Sequence, residues 1–134
     1  METGNKVTRE MLSAMQSVIP SVLSTCSKEG VANVTYISQV FYVDEHHLAL
    51  SFQFMNKTWR NIMENPRLTV CITCPNSLSL WKIGLYFIEQ VTEGDVFEEM
   101  DMQLTALISR SVREKDFKIL SALICKVESI EKMN

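Results

Sequence analysis

The stretch from Leu48 to Pro66, LALSFQFMNKTWRNIMENP, passes from a period-two pattern to a helical one with no linker between them. A chain that does this must turn a strand directly into a short helix. Apolar Leu48, Leu50, Phe52 and Phe54 alternate with small or polar Ala49, Ser51 and Gln53, so the strand buries one face and leaves the other free to hold something. Asn56 then offers an N-cap, and Lys57, Thr58 and Arg60 bring two positive charges and a hydroxyl to the first helical turn. Cations normally avoid that end, where the helix dipole is already positive. A bound anion removes the conflict, and the backbone N–H groups of a helix N-terminus are ready phosphate donors. The alternative is a solvated helix face that happens to carry Lys57 and Arg60.

The remaining chain must fold around this junction. With 134 residues it has the usual size of one domain, and we expect a single domain over 1–134 that buries a core without metals or disulfides. No run has the apolar length needed to cross a bilayer as a helix, and METGNKVTRE contains no hydrophobic signal core, so a cytoplasmic protein without a membrane role is expected. The net charge of −3 has its surplus of acids in the second half and gives no electrostatic footprint for nucleic acid.

Thr8 caps a first helix in which Met11, Leu12, Met15, Val18 and Ile19 follow helical spacing, and Pro20 lies where it should stop. Strands follow at the short spacing of an antiparallel meander: VLSTC, the turn SKEG, a long β-rich run from Val31 to Val43, the turn DEHH, and LALSFQF. After a helix at about 57–64, Asn65 and Pro66 break the chain before the strand LTVCIT. The apolar run from Leu80 to Val91 must be one or two strands. Glu93, Asp95, Glu98, Glu99 and Asp101 cluster at the start of another helix, where acids suit the dipole, and its stripe is Phe97, Met100, Leu104, Leu107 and Ile108. Ile119 to Val127 supplies a closing strand. Six or seven strands with three helices predict an α+β, mainly β, fold, closing most economically as an antiparallel barrel.

Side-chain chemistry is sparse. No nucleophile elbow, Walker loop, dinucleotide-binding glycine pattern or paired-histidine metal motif is present. His46 and His47 fall in a hairpin turn and read as solvated. Cys71 and Cys74 form a C-x-x-C pair, but in a strand such positions point to opposite faces, so they read as structural thiols. An enzyme built from this chain would therefore carry its chemistry on a cofactor. Within VANVTYISQVFYVDE, Asn33, Thr35, Ile37, Gln39 and Phe41 share one face and Val34, Tyr36, Ser38, Val40 and Tyr42 the other. Polar and apolar groups mix on both, as they do in a strand lining a pocket or dimer interface, or in one interrupted by a bulge.

A helix leading to IPSVLSTCS, then GVANVTYISQVFYVDEHHLALSF, then NKTWRNIMENPRLTV resembles the pyridoxamine 5'-phosphate oxidase-like superfamily of FMN-binding split barrels. The likeness is strong from about Ile19 to Val70 and is nearest to flavin-binding modules that precede sensor domains in some bacterial proteins. The resemblance implies a six- to seven-stranded split barrel with flanking helices and FMN as cofactor. It implies contacts to the isoalloxazine ring and ribityl chain from Ser51, Phe52 and Gln53, and from the strand Val34, Thr35 and Tyr36. The FMN phosphate falls to Asn56, Lys57, Thr58, Arg60 and Asn61. It also implies a homodimer with two flavin sites at the interface, where a residue such as Trp81 completes the partner's site.

Two departures qualify it. The family's common pattern places a lysine three residues before the helix asparagine; here Thr58 stands there and Lys57 one residue earlier, so the phosphate contacts are rearranged. The chain ends SIEKMN with no arginine-rich motif, so oxidation of vitamin B6 vitamers is not expected. The resulting expectation is an FMN-dependent oxidoreductase or flavin reductase acting on an unidentified small-molecule or electron-transfer partner. The alternative is a non-catalytic module that binds or senses flavin, deazaflavin or haem.

Overall fold

A computed structural model describes residues 3–15, 19–52, 56–108 and 119–134. In these, β1 (Thr3–Gly4) and α1 (Arg9–Met15) precede β2 (Ser21–Cys26), β3 (Ala32–Ile37), β4 (Val40–Asp44) and β5 (His47–Phe52). Then come α2 (Asn56–Glu64), β6 (Arg67–Thr73), β7 (Leu80–Val91), α3 (Asp95–Ile108) and β8 (Ser121–Lys132). Every pairing is antiparallel and the strand order is β3-β2-β6-β7-β8-β5-β4, with β1 added beside β8.

The two ends of that order, β3 and β4, are consecutive in the chain and separated only by Ser38 and Gln39. In a flat sheet of seven strands the outer two would lie about 29 Å apart. Three backbone steps reach about 11 Å at most. The sheet must therefore curl until its ends meet, which gives an α+β fold of the split-barrel type; β3 and β4 do not pair with each other, so the hydrogen-bonded wall is open there.

The expected single run from Val31 to Val43 is thus two strands. Ile37 and Val40 both enter the barrel core, although strict alternation over three residues would place them on opposite faces. The irregular connector at Ser38–Gln39 reverses the parity, and this accounts for the mixture of polar and apolar residues along the run. Beyond the reversal, Val40 faces the barrel interior while neighbouring Phe41 packs under α3.

The interior is filled by Leu23, Leu48, Leu50, Val70, Ile83 and Leu85, all fully buried, with Met11, Ala14 and Met15 of α1 and Ile62 of α2 closing onto them. Leu12, placed by spacing on the buried stripe of α1, is half-exposed, and the expected continuation to Val18 lies outside the described residues. Met100 and Leu104 of α3 cover Phe41, Ala49 and Ala122 as a second core layer, while the side chains of Leu107 and Ile108 lie outside the description. Asp95 and Glu98 fall in the first turn of α3, where they oppose the positive end of its dipole.

The run Leu80–Val91 is one strand, bent by register shifts at Gly84/Leu85 and Phe87/Glu89. At the first shift Gly84 lies directly against Ser129, so close that a Cβ there would meet the Ser129 hydroxyl at 2.5 Å. The closing strand continues past the expected Val127 to Lys132 because its second half pairs with the first half of β7.

Candidate functional site

α2 begins at Asn56, and its first turn presents Lys57 and Arg60 to solvent while Thr58 is buried. What fixes the helix is a set of ties to the barrel end. The Asn33 side-chain amide donates to Thr58 Oγ1 at 3.1 Å, joining β3 to the first turn. The Asn61 amide donates to Thr25 Oγ1 at 3.1 Å, joining β2 to the next turn. Trp59 packs edge-on between Phe52 of β5 (centroids 5.6 Å apart) and Phe87 of β7 (5.8 Å). These partners lie far away in sequence, which is why spacing alone does not reveal them; the polar Asn33 within an apolar strand is the one local signal.

Beside this helix face lies a cleft of about 240 Å³, whose walls include Ala32, Asn33, Lys57, Arg60, Asn61 and Glu64. Neither Lys57 nor Arg60 has a carboxylate partner among the described residues. Glu64 at the far end of the helix is engaged instead, accepting the Lys28 backbone N–H at 3.0 Å. The cleft is also lined by Glu29, so its two cations face two carboxylates without pairing directly with either, and at its N-terminal end Lys57 stands beside helix N–H groups that have no intrahelical acceptor. Such a donor set can hold a phosphate or another oxyanion.

Ser51 sits on β5 upstream of this junction, 1% exposed. Its Oγ lies 2.9 Å from Ser38 Oγ, and its backbone N–H donates to the Gln39 carbonyl at 3.2 Å, so it clasps the opening between β3 and β4. Gln39 is itself buried; its Nε2 donates to Gln103 Oε1 of α3 at 3.1 Å, whereas its Oε1 has no hydrogen-bond partner. The second face of β5, expected to be free, is covered at Ala49 by α3, because Ala49 is small enough to admit Met100 and Leu104.

The structure brings Asn33, Lys57, Arg60 and Asn61 to one cleft, with Asn56 and Thr58 on the same helical turns. Val34 and Tyr36 of β3 stand outward, 65% and 71% exposed, and Thr35 between them is half-buried. Gln53 lies outside the described residues. Trp81 is 3% exposed in the barrel core at the start of β7, near the end opposite α2. Cys71 faces away from the core while Cys74 shares its side with Ile72. His46 and His47 are half-exposed in the β4–β5 turn, where His47 Nδ1 lies 2.9 Å from Asp44 and holds that carboxyl below its ordinary pKa.

A family model described as pyridoxamine 5'-phosphate oxidase matches residues 7–130. An uncharacterized protein of Methanocaldococcus jannaschii is 29% identical over 130 residues, covering 93% of this chain and 79% of that protein. Among solved structures, an FMN-binding protein from Syntrophomonas wolfei superposes with a TM-score of 0.74 at 19% identity, over 94% of this chain and 88% of the other. An F420 reductase superposes with a TM-score of 0.70 at 14% identity, over 93% and 98%. At such identities these two structures speak for the fold alone.

Proposed function

The chain belongs to the pyridoxamine 5'-phosphate oxidase family, and we propose that it is a homodimeric FMN-binding protein that works as an oxidoreductase or flavin reductase on a small-molecule or electron-transfer partner. The observation that carries this reading is the pair Lys57 and Arg60, unpaired with any described carboxylate and placed over a cleft at the start of α2. Two cations and free helix N–H groups suit a phosphate monoester dianion better than a neutral ligand. Lys57 and Arg60 hold that phosphate with Asn56 and the first N–H groups of α2, and Thr58 and Asn61 act chiefly by fixing the helix. Val34, Thr35, Tyr36, Ser51, Phe52 and Gln53 serve the ring and ribityl chain.

When bound, FMN supplies hydride and electron transfer at its ring, and the protein supplies binding, orientation and electrostatics. The exposed Val34 and Tyr36 on the outer face of β3 favour a second copy of the chain as the cover of that surface, since exposed aromatic and aliphatic groups side by side gain by burial.

A non-catalytic role, as a module that binds flavin, deazaflavin or haem, is the second reading. It is favoured by one observation: no histidine, cysteine or tyrosine is among the described residues lining the cleft, and its two carboxylates, Glu29 and Glu64, are exposed to solvent. Purification followed by a visible spectrum and mass spectrometry of released ligand tests the binding claim. A yellow protein releasing FMN is expected, and a folded, colourless protein that takes up no added FMN would sink it. Oxidation of a reduced nicotinamide by the FMN-loaded protein separates the oxidoreductase from the silent module.

A further inference from the structure

Among the described residues, one enclosed side-chain atom lacks a hydrogen-bond partner, and it is Gln39 Oε1. Gln39 is 2% exposed and stands at the open seam of the barrel, where its backbone carbonyl accepts the Ser51 N–H at 3.2 Å and the Ser51 hydroxyl at 3.4 Å. Its Nε2 donates to Gln103 Oε1 of α3 at 3.1 Å. A primary amide offers a donor and an acceptor side by side, and here only the donor is met. Turning both amides over exchanges the roles and still leaves one atom of the Gln39 amide without a partner. A buried acceptor left unmet is destabilising, so folds seldom keep one, and those they keep call for a donor from outside the chain or another functional reason.

The place of the group says which donor. Ser51, tied to Gln39 twice, is among the residues assigned above to the flavin ring. It precedes Asn56 by five residues, at most about 18 Å of chain, so one extended ligand can span from the start of α2 to this seam. A cyclic imide matches a primary amide edge to edge: its N–H meets the amide oxygen, and its adjacent carbonyl meets the amide N–H. Gln103 Oε1 fills the carbonyl half of that pairing, and the N–H half is unfilled.

We propose that Gln39 reads the imide edge of the bound flavin, its Oε1 accepting the ring N–H and its Nε2 donating to the neighbouring ring carbonyl, with Gln103 as a stand-in that leaves when the cofactor enters. Gln103 is half-buried on α3, so its amide can turn towards water while the helix stays in place. This role rests on the flavin reading above and adds to it a residue that selects the ligand. A ring without an N–H at that place is rejected, because the Gln39 acceptor stays unmet in the complex. Flavin and deazaflavin both carry the imide, and haem does not.

The test is to titrate apo-protein with FMN and with its 3-methyl derivative, in which the imide N–H is replaced by N–CH3, and to follow fluorescence. The natural chain, Gln39→Met and Gln103→Ala are compared, each checked for folding by circular dichroism. The natural chain should bind FMN about tenfold or more tightly than the 3-methyl compound. That preference should disappear in Gln39→Met, which keeps the length of the side chain without its amide, and persist in Gln103→Ala. Equal affinities for the two compounds in the natural chain, an unchanged preference in folded Gln39→Met, or its loss in folded Gln103→Ala overturns the proposal and leaves the flavin reading intact. Failure of the folded natural chain to bind either compound removes both.

Discussion

Asn61 holds the helix that carries Lys57 and Arg60, and it does so through one buried hydrogen bond to Thr25 Oγ1. Replacing it by leucine leaves that hydroxyl without its donor in a site where Thr25 is 2% exposed. A loss of about 1–3 kcal/mol is expected for Asn61→Leu, measured by urea unfolding. Cys74 carries a prediction in pH. Its Sγ lies 3.3 Å from Ser13 Oγ. That hydroxyl first, then the Ser77 side chain and the Ser77 and Asn76 backbone groups, lower the thiol from 9.0 to about 6. Because the folded value lies below the unfolded one, this thiolate adds stability that is complete above about pH 9 and is lost as the pH falls through about 6. Ultraviolet thiolate absorbance should show a midpoint near 6 that disappears in Cys74→Ser, whereas Cys125, pushed up to about 12 by burial, stays a thiol. A midpoint unshifted from the ordinary thiol range would contradict the hydrogen-bonded setting of Cys74.

At the scale of elements, α2 is fastened by Trp59 lodged between Phe52 and Phe87. Trp59→Ala should cost about 3 kcal/mol in thermal or chemical unfolding, because both ring contacts and apolar burial go together. Gly84 is the corresponding point on β7, where the strand bends against Ser129. Gly84→Ala should cost only ~1 kcal/mol, since the Ser129 hydroxyl can rotate aside, and Ser129→Ala should recover part of it.

How these elements were legible in the sequence differs from case to case. α2 is legible because Asn56 starts it and Asn65 and Pro66 end it locally, and β5 and β6 because their alternation is unbroken. The two-residue β1 is not, since only its pairing to Ile130 and Glu131 defines it. The division of the Val31–Val43 run escapes a period-two reading because parity reverses without a glycine or proline to mark it. In the candidate site, the cations of the helix start are visible locally. Their anchors are not, because Thr25 and Asn33 come to α2 only when the barrel forms.

For the whole molecule, the curl forced by the Ser38–Gln39 connector places α2, β3 and β5 around one end of the barrel, and the proposed cofactor and dimer sites both depend on that placement. The outward Val34 and Tyr36 make the dimer testable: Val34→Asp/Tyr36→Asp should shift the molecular mass in light scattering from two chains towards one, leaving far-ultraviolet circular dichroism unchanged. The claim at the centre is that the start of α2 holds the phosphate of a flavin. It is tested most directly by titrating FMN into apo-protein and following flavin fluorescence, for the natural chain and for Lys57→Ala/Arg60→Ala. Saturable binding is expected, weakened by about 10- to 100-fold in the double variant with no change in melting temperature. Absence of binding by the folded natural chain, or equal affinity in both proteins, would contradict it.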